Sequence, residues 1–193
     1  MAHYSSASTD LGMRPYRSMV PPRIQYFQVS TATGGSSKVI HTGQIVAFDT
    51  VAASASHRIV LANSSGGDGA NILLTTNVVG VAVETSTSDG STAGIGTAAQ
   101  TIGVALATDG QEFLGYLRGD LPSHSSIVGL VRAVIWDSTR QIYNIDSTNS
   151  TAALASVVIT GVVSESTVGD TNGPVLFKFL STRTSPVLGR SGA

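Results

Sequence analysis

From Ile24 onward the chain alternates between short apolar runs and turn-forming clusters. Runs rich in Val, Ile, Thr and aromatics cover residues 24–29, 44–48, 58–62, 78–84, 101–107, 112–117, 131–136, 141–145, 156–163 and 175–180. Gly34-Gly35, Gly66-Gly67-Asp68-Gly69, Asp89-Gly90, Asp109-Gly110 and Asn172-Gly173 punctuate them. Short β-rich runs between Gly, Asn and Asp turns read as strands, and their spacing suits a closed barrel or a sandwich. No stretch has helical periodicity; residues 121–129 are expected to hold at most one short helix, with Ser123 as its cap after Pro122. The expectation is therefore an all-β fold, a compact β-barrel or sandwich, with Pro174 opening the last strand.

The ends break this pattern. Residues 1–23 lack periodicity and contain Gly12, Pro15, Pro21 and Pro22, so they read as an extended arm. Tyr4, Leu11, Met13, Tyr16, Met19 and Val20 are costly to leave in water as a set, and the arm is expected to bury them on a partner. Folding back over its own subunit is the alternative. The expected organisation is an arm over 1–23, one β domain over 24–180 and an extended tail over 181–193.

Within the β region the sequence echoes itself. Ile45-Val46-Ala47-Phe48-Asp49 is matched by Val134-Ile135-Trp136-Asp137, an apolar strand ending in an aromatic and then an Asp suited to a turn. Gly80-Val81-Ala82-Val83-Glu84 is matched by Gly161-Val162-Val163-Ser164-Glu165. Two related halves within one domain follow from these echoes; chance recurrence of β-rich tetrads is the competing explanation.

Composition narrows the function more than the fold. Only 12% of residues are charged, while 26 Ser, 21 Thr and 21 Gly supply neutral polarity. A weakly charged surface repels neighbours poorly and suits a protein that lives in an assembly. The net charge of −1 is unevenly spread. Arg14, Arg17 and Arg23 against Asp10 give +2 over residues 1–28, Arg183 and Arg190 give +2 over 181–193, and the middle carries −5. There is no global basic footprint for nucleic acid and no apolar run near the roughly 18 residues of a membrane helix, and Met1-Ala2-His3-Tyr4-Ser5-Ser6, without a charged n-region or apolar h-region, is not expected to act as a secretory signal.

The residues that carry chemistry are sparse. Absence of cysteine removes disulfides and thiolate catalysis together. His3, His41, His57 and His124 lack the spacing of paired metal ligands, and no nucleophile elbow or phosphate-cradling loop occurs. Gly66-Gly67-Asp68-Gly69 offers one carboxylate where calcium needs six to eight oxygens. Glu84 and Glu165 occupy matching repeat positions, which points to a structural duty rather than an acid–base pair. Arg118-Gly119-Asp120 reads as an ordinary turn, and the sequons at Asn63 and Asn149 matter only in a secretory pathway. No enzymatic activity and no cofactor are expected.

Three segments carry a resemblance to a known family. Gly43-Gln44-Ile45-Val46-Ala47-Phe48-Asp49-Thr50, Val79-Gly80-Val81-Ala82-Val83-Glu84, and Ile102-Gly103-Val104-Ala105 followed by Gln111-Glu112-Phe113 resemble the head decoration, or capsid cement, proteins of tailed bacteriophages. The resemblance covers about residues 40 to 180. It implies a compact β-tulip domain with extended arms, located on the outer capsid surface of the virion. The implied partners are the major capsid protein and two further copies in a homotrimer at three-fold and quasi-three-fold positions, with no direct nucleic acid and no membrane. Arg14, Tyr16, Arg17, Met19 and Arg23 are the expected capsid contacts of the arm, with Arg183 and Arg190 as possible tail contacts. The alternative is a carbohydrate-binding or host-attachment domain using Trp136, Tyr143 and Tyr116 as stacking platforms; their strand patterns favour core positions instead.

Overall fold

The computed structural model describes residues 12–16, 21–29, 40–49, 58–62, 72–73, 77–86, 101–108, 110–119, 125–137, 140–148, 153–163 and 173–184. Eleven strands run through them: β1 (Arg14–Pro15), β2 (Ile24–Val29), β3 (Ile45–Phe48), β4 (Arg58–Leu61), β5 (Val78–Ala82), β6 (Thr101–Leu106), β7 (Phe113–Arg118), β8 (Val131–Asp137), β9 (Ile142–Asp146), β10 (Val157–Val162) and β11 (Pro174–Phe179). The helical content among the described residues is a single 3-10 turn, Ser125–Ile127. All ten strand segments read from the sequence form, and the fold is all-β.

The strands close into two five-stranded barrels. In the first the order is β2-β4-β3-β5-β6, with β6 returning to β2. In the second, β7-β11-β10-β8-β9 is closed by β9 returning to β7. If β2, β3, β4, β5 and β6 are set against β7, β8, β9, β10 and β11, every pairing in one barrel has its counterpart in the other. Both barrels contain one parallel pair, β2–β4 and β7–β9, in the same place, and antiparallel pairs elsewhere. The sequence echoes fall on corresponding strands, Phe48-Asp49 with Trp136-Asp137 at the ends of β3 and β8, and Gly80 with Gly161 in β5 and β10. Register slips by one residue at Val79 in β5 and at Thr160 in β10, in each case just before the repeat glycine.

β5 reads as an unbroken apolar run because it is buried along its whole length, with the bulge at Val79 setting which residues share a face. Val78 and Val81 enter one apolar cluster, whereas Val79 and Ala82 enter another. A strand covered on both faces has no polar side to alternate with. The second of these clusters fills the first barrel with Phe27, Val29, Val46, Ile59, Ile102 and Val104. The other is shared between barrels: Ile45, Ala47, Val81 and Ala105 of the first meet Phe113, Val134, Trp136, Tyr143, Ile159 and Phe177 of the second.

Polar bonds cross the same junction. Gln44 Nε2 donates to the Gln141 carbonyl (2.8 Å), and Ser156 Oγ donates to the Leu73 carbonyl (2.8 Å). The Tyr143 hydroxyl donates to the Ala62 carbonyl. Burial pushes the Tyr143 phenol above its ordinary value of 10.0, because a phenolate has neither water nor a cation to stabilise it. Folded-state affinity for the proton thus exceeds that of the unfolded chain, so this contribution is complete below about pH 10 and is lost as the pH rises further. Urea titrations at rising pH are expected to show the protein weakening from about pH 10 upward. Tyr143→Phe should cost about 1–3 kcal/mol at neutral pH, through the orphaned Ala62 carbonyl, and flatten that alkaline limb.

Candidate interaction surfaces

Residues 12–16 lie against the chain's own barrels. Gly12 and Gly43 stack closely: a Cβ on Gly43 would lie 2.8 Å from the Gly12 Cα, and Gly43 has φ +87, so the approach requires glycine. Met13 N–H donates to the Gly43 carbonyl (3.1 Å), and the Met13 side chain, 1% exposed, joins the shared core. β1 then pairs antiparallel with β7, Arg14 opposite Leu114 and Pro15 opposite Phe113. Tyr16 N–H donates to the Glu112 carbonyl (2.8 Å). That bond places Arg14 and Tyr16 at the hydrogen-bonded positions of the ladder, leaving Pro15, which has no N–H, between them. The segment thereby ties the first barrel, through Gly43, to the second, through β7.

Of the expected arm contacts, Arg14 and Arg23 are exposed and Tyr16 is 39% exposed. Arg14 begins β1 and Tyr16 directly follows it, while Arg23 immediately precedes β2. Arg17 and Met19 lie outside the described residues, as does Arg190. Arg183 is engaged within the chain. Its Nε donates to the Ala155 carbonyl (3.0 Å), its Nη2 donates to the Ala153 carbonyl (2.6 Å), and its own carbonyl accepts Val78 N–H (3.0 Å). Like residues 12–16, this segment links the second barrel to the first.

Sequence reasoning missed an exposed apolar pair on β2. Ile24 and Tyr26 are 48% and 62% exposed. Glu84 sits beside them, one carboxylate oxygen accepting the Tyr26 hydroxyl (3.2 Å) and the other accepting Gly103 N–H (3.0 Å). Glu84 thus fastens the end of β5 to β6, the structural duty its repeat position suggested; Glu165 lies outside the described residues. No local signal marks that exposure, since Ile24-Gln25-Tyr26-Phe27 matches Leu114-Gly115-Tyr116-Leu117 on the corresponding strand, where Leu114 and Tyr116 are buried.

Among the described residues, neither a cation site nor the expected sugar-stacking rings are brought together at the surface. Among the described residues no three His, Asp or Glu side chains gather as a cation site, and His3, His57, His124 and residues 66–69 lie outside them. Arg118 pairs with Asp137 at 3.5 Å, which ties the first residue of Arg118-Gly119-Asp120 to β8. Trp136, Tyr143 and Tyr116 are 7%, 1% and 9% exposed, and Trp136 packs on Tyr143 with ring centroids 4.7 Å apart. Buried rings offer a sugar no stacking face. No described helix is long and apolar enough to cross a membrane.

Comparison with known proteins gives no match: no family model, no curated protein and no solved structure corresponds to this chain.

Proposed function

We propose that this chain is a structural virion protein that decorates the outside of an icosahedral phage capsid and cements neighbouring major capsid subunits, with three copies at three-fold and quasi-three-fold positions. The observation that carries the reading is the placement of Arg14 and Tyr16. They stand exposed on a short strand whose base, Met13, is buried in the core, so a contact made there transmits load directly to both barrels. The weakly charged, Ser- and Thr-rich composition and the resemblance of residues 40 to 180 to capsid cement proteins support it. The mechanism is linkage. A protein that binds only the expanded lattice stabilises it by mass action, multiplied over many sites. Such a role uses no catalytic group and no cofactor.

Binding to expanded capsids of the phage that encodes the chain tests the proposal. Arg14→Glu/Arg23→Glu is expected to weaken capsid binding about tenfold or more at low salt and to diminish its salt dependence. Tyr16→Ala should weaken binding through lost apolar contact. Unchanged binding by the double variant and by Tyr16→Ala would remove these residues from the interface, and failure of the wild-type protein to bind would overturn the reading.

A further inference from the structure

Arg132 carries a buried charge that nothing described balances. The residue is 7% exposed. Its Nη1–H donates to the carbonyl of its own neighbour Val131 (2.8 Å), and among the described residues it has no other hydrogen bond and pairs with no carboxylate. A guanidinium keeps its charge on burial, and a buried charge without a partner is costly. The first barrel shows that the fold does not require one at this position. Aligning Phe48-Asp49 with Trp136-Asp137 sets Gln44 against Arg132. Gln44 is neutral, 1% exposed and bonded through both polar atoms: Oε1 accepts His41 N–H (2.8 Å), and Nε2 donates to the Gln141 carbonyl (2.8 Å).

The ladders place Arg132 at one mouth of the second barrel. It stands opposite Val157 on β10 and two residues before Val134, both of which belong to the apolar interior. Partners across a ladder, and residues two apart on a strand, share a face. Leu117, Ile145 and Val134 form one inner layer, since Leu117 pairs with Ile145 and Ile145 with Val134. Two residues further along each strand, the same registers bring Gly119, Ser147 and Arg132 together. Gly119 and Ser147 are small where the layer below carries Leu and Ile, so little side-chain bulk faces the guanidinium. Among the described residues the one sealed side-chain nitrogen or oxygen without a partner is Thr160 Oγ1. The unbonded Nε and Nη2 of Arg132 are therefore not sealed, and this free edge opens on the mouth.

We propose that the mouth of the second barrel binds a small oxyanion, a phosphate or carboxylate group, gripped side-on by Arg132. With Nη1 taken by the Val131 carbonyl, Nε–H and the Nη2 group remain as a pair on one edge of the guanidinium. That edge directs two parallel N–H bonds at the spacing of two oxygens of one carboxylate or phosphate. A halide offers a single acceptor, and water brings no charge. At 7% exposure the residue is within reach of an ion or small molecule entering the mouth, but not of the face of another protein. Barrel mouths are common ligand positions, where a few placed polar groups in an apolar wall fix orientation. The capsid reading does not use this part of the molecule.

Titration of the full chain with sodium phosphate, and separately with sodium acetate, tests it, each against sodium chloride at equal ionic strength and pH. The readouts are the Arg132 Nε–H resonance in a nitrogen–proton correlation spectrum and the melting temperature. Phosphate, acetate or both are expected to shift that resonance saturably and to raise the melting temperature, as binding to the folded state requires. A response to phosphate alone assigns the site to phosphate groups, and a response to acetate assigns it to carboxylates. Arg132→Lys, which keeps the charge and loses the fork, should weaken binding about tenfold. Arg132→Gln, which copies the first barrel, should abolish it. Should the glutamine impair folding, which circular dichroism would reveal, the lysine variant and the wild-type resonance carry the test. An equal shift in chloride would mean screening alone. No saturable shift would mean that the guanidinium is hydrated or paired within the chain, and an unchanged response in Arg132→Gln would place the anion elsewhere. Any of these three results overturns the proposal. Capsids enter none of these measurements, so this result and the capsid result fail separately.

Discussion

Gly80→Ala is expected to leave little folded protein, whereas Gly161→Ala at the matching position of the second barrel should express and melt close to wild type. A Cβ at residue 80 would overlap the Ala105 carbonyl oxygen, and it would lie 2.9 Å from the Ala105 carbonyl carbon and 3.1 Å from the Leu106 Cα. All three are backbone atoms of β6, so relief requires β5 and β6 to separate at the centre of the first barrel. At Gly161 the nearest atom is Leu176 Cδ1 at 3.3 Å, the tip of a side chain that can rotate. Overpacking against backbone at a buried site costs about 3 kcal/mol or more, and the second substitution costs about 1 kcal/mol or less. Thermal melts of the two variants check the contrast. Equal stabilities would mean that β5 and β6 do not approach as closely as described.

The second large effect concerns the base of the arm. Met13→Ala should lower stability by about 2–5 kcal/mol, because a buried methionine at the junction of both barrels is replaced by a cavity. Deleting residues 1–11 should leave the melting temperature within a few degrees of wild type. Extending the deletion through Tyr16 should lower it sharply, since Met13, the Gly43 bond and the β1–β7 pairing go together. A capsid-binding comparison made with a chain cut at residue 23 would therefore confound lost contacts with lost folding. Denaturant titration of Met13→Ala and of both deletions separates the two, and a deletion through Tyr16 as stable as the wild type would count against the staple.

Much of the fold was legible because strand periodicity and turn residues act locally. Most of the ten apolar runs had glycine, asparagine or aspartate close beside them, and each became a strand. The repeat was legible for a related reason. Phe48-Asp49 and Trp136-Asp137 end corresponding strands, and Gly80 and Gly161 each follow a bulge in corresponding strands, although the bulge of β5 lies against β3 and that of β10 against β11. What stayed hidden depended on distant partners. Arg14-Pro15 has no alternation and includes a proline, and it is a strand only because Leu114 and Phe113 present an edge to it. Closure of each barrel through a parallel pair leaves no local trace. The exposure of Ile24 and Tyr26 was hidden too, since in sequence they look like Leu114 and Tyr116, which are buried. Charge patterning identified the basic ends but not their use: Arg183 caps backbone carbonyls of its own chain instead of facing outward.

The core shared between barrels also bears on how the protein is made. The first barrel leaves the ribosome before the second, and domains begin to fold in that order. Until β7 to β11 follow, Ile45, Ala47, Val81 and Ala105 face water on the side that the second barrel will cover. A nascent chain paused between the barrels is therefore a sticky half-molecule despite its closed ring of strands. Yield in a heterologous host should respond to growth temperature and chaperone supply more than the stability of the finished protein would suggest.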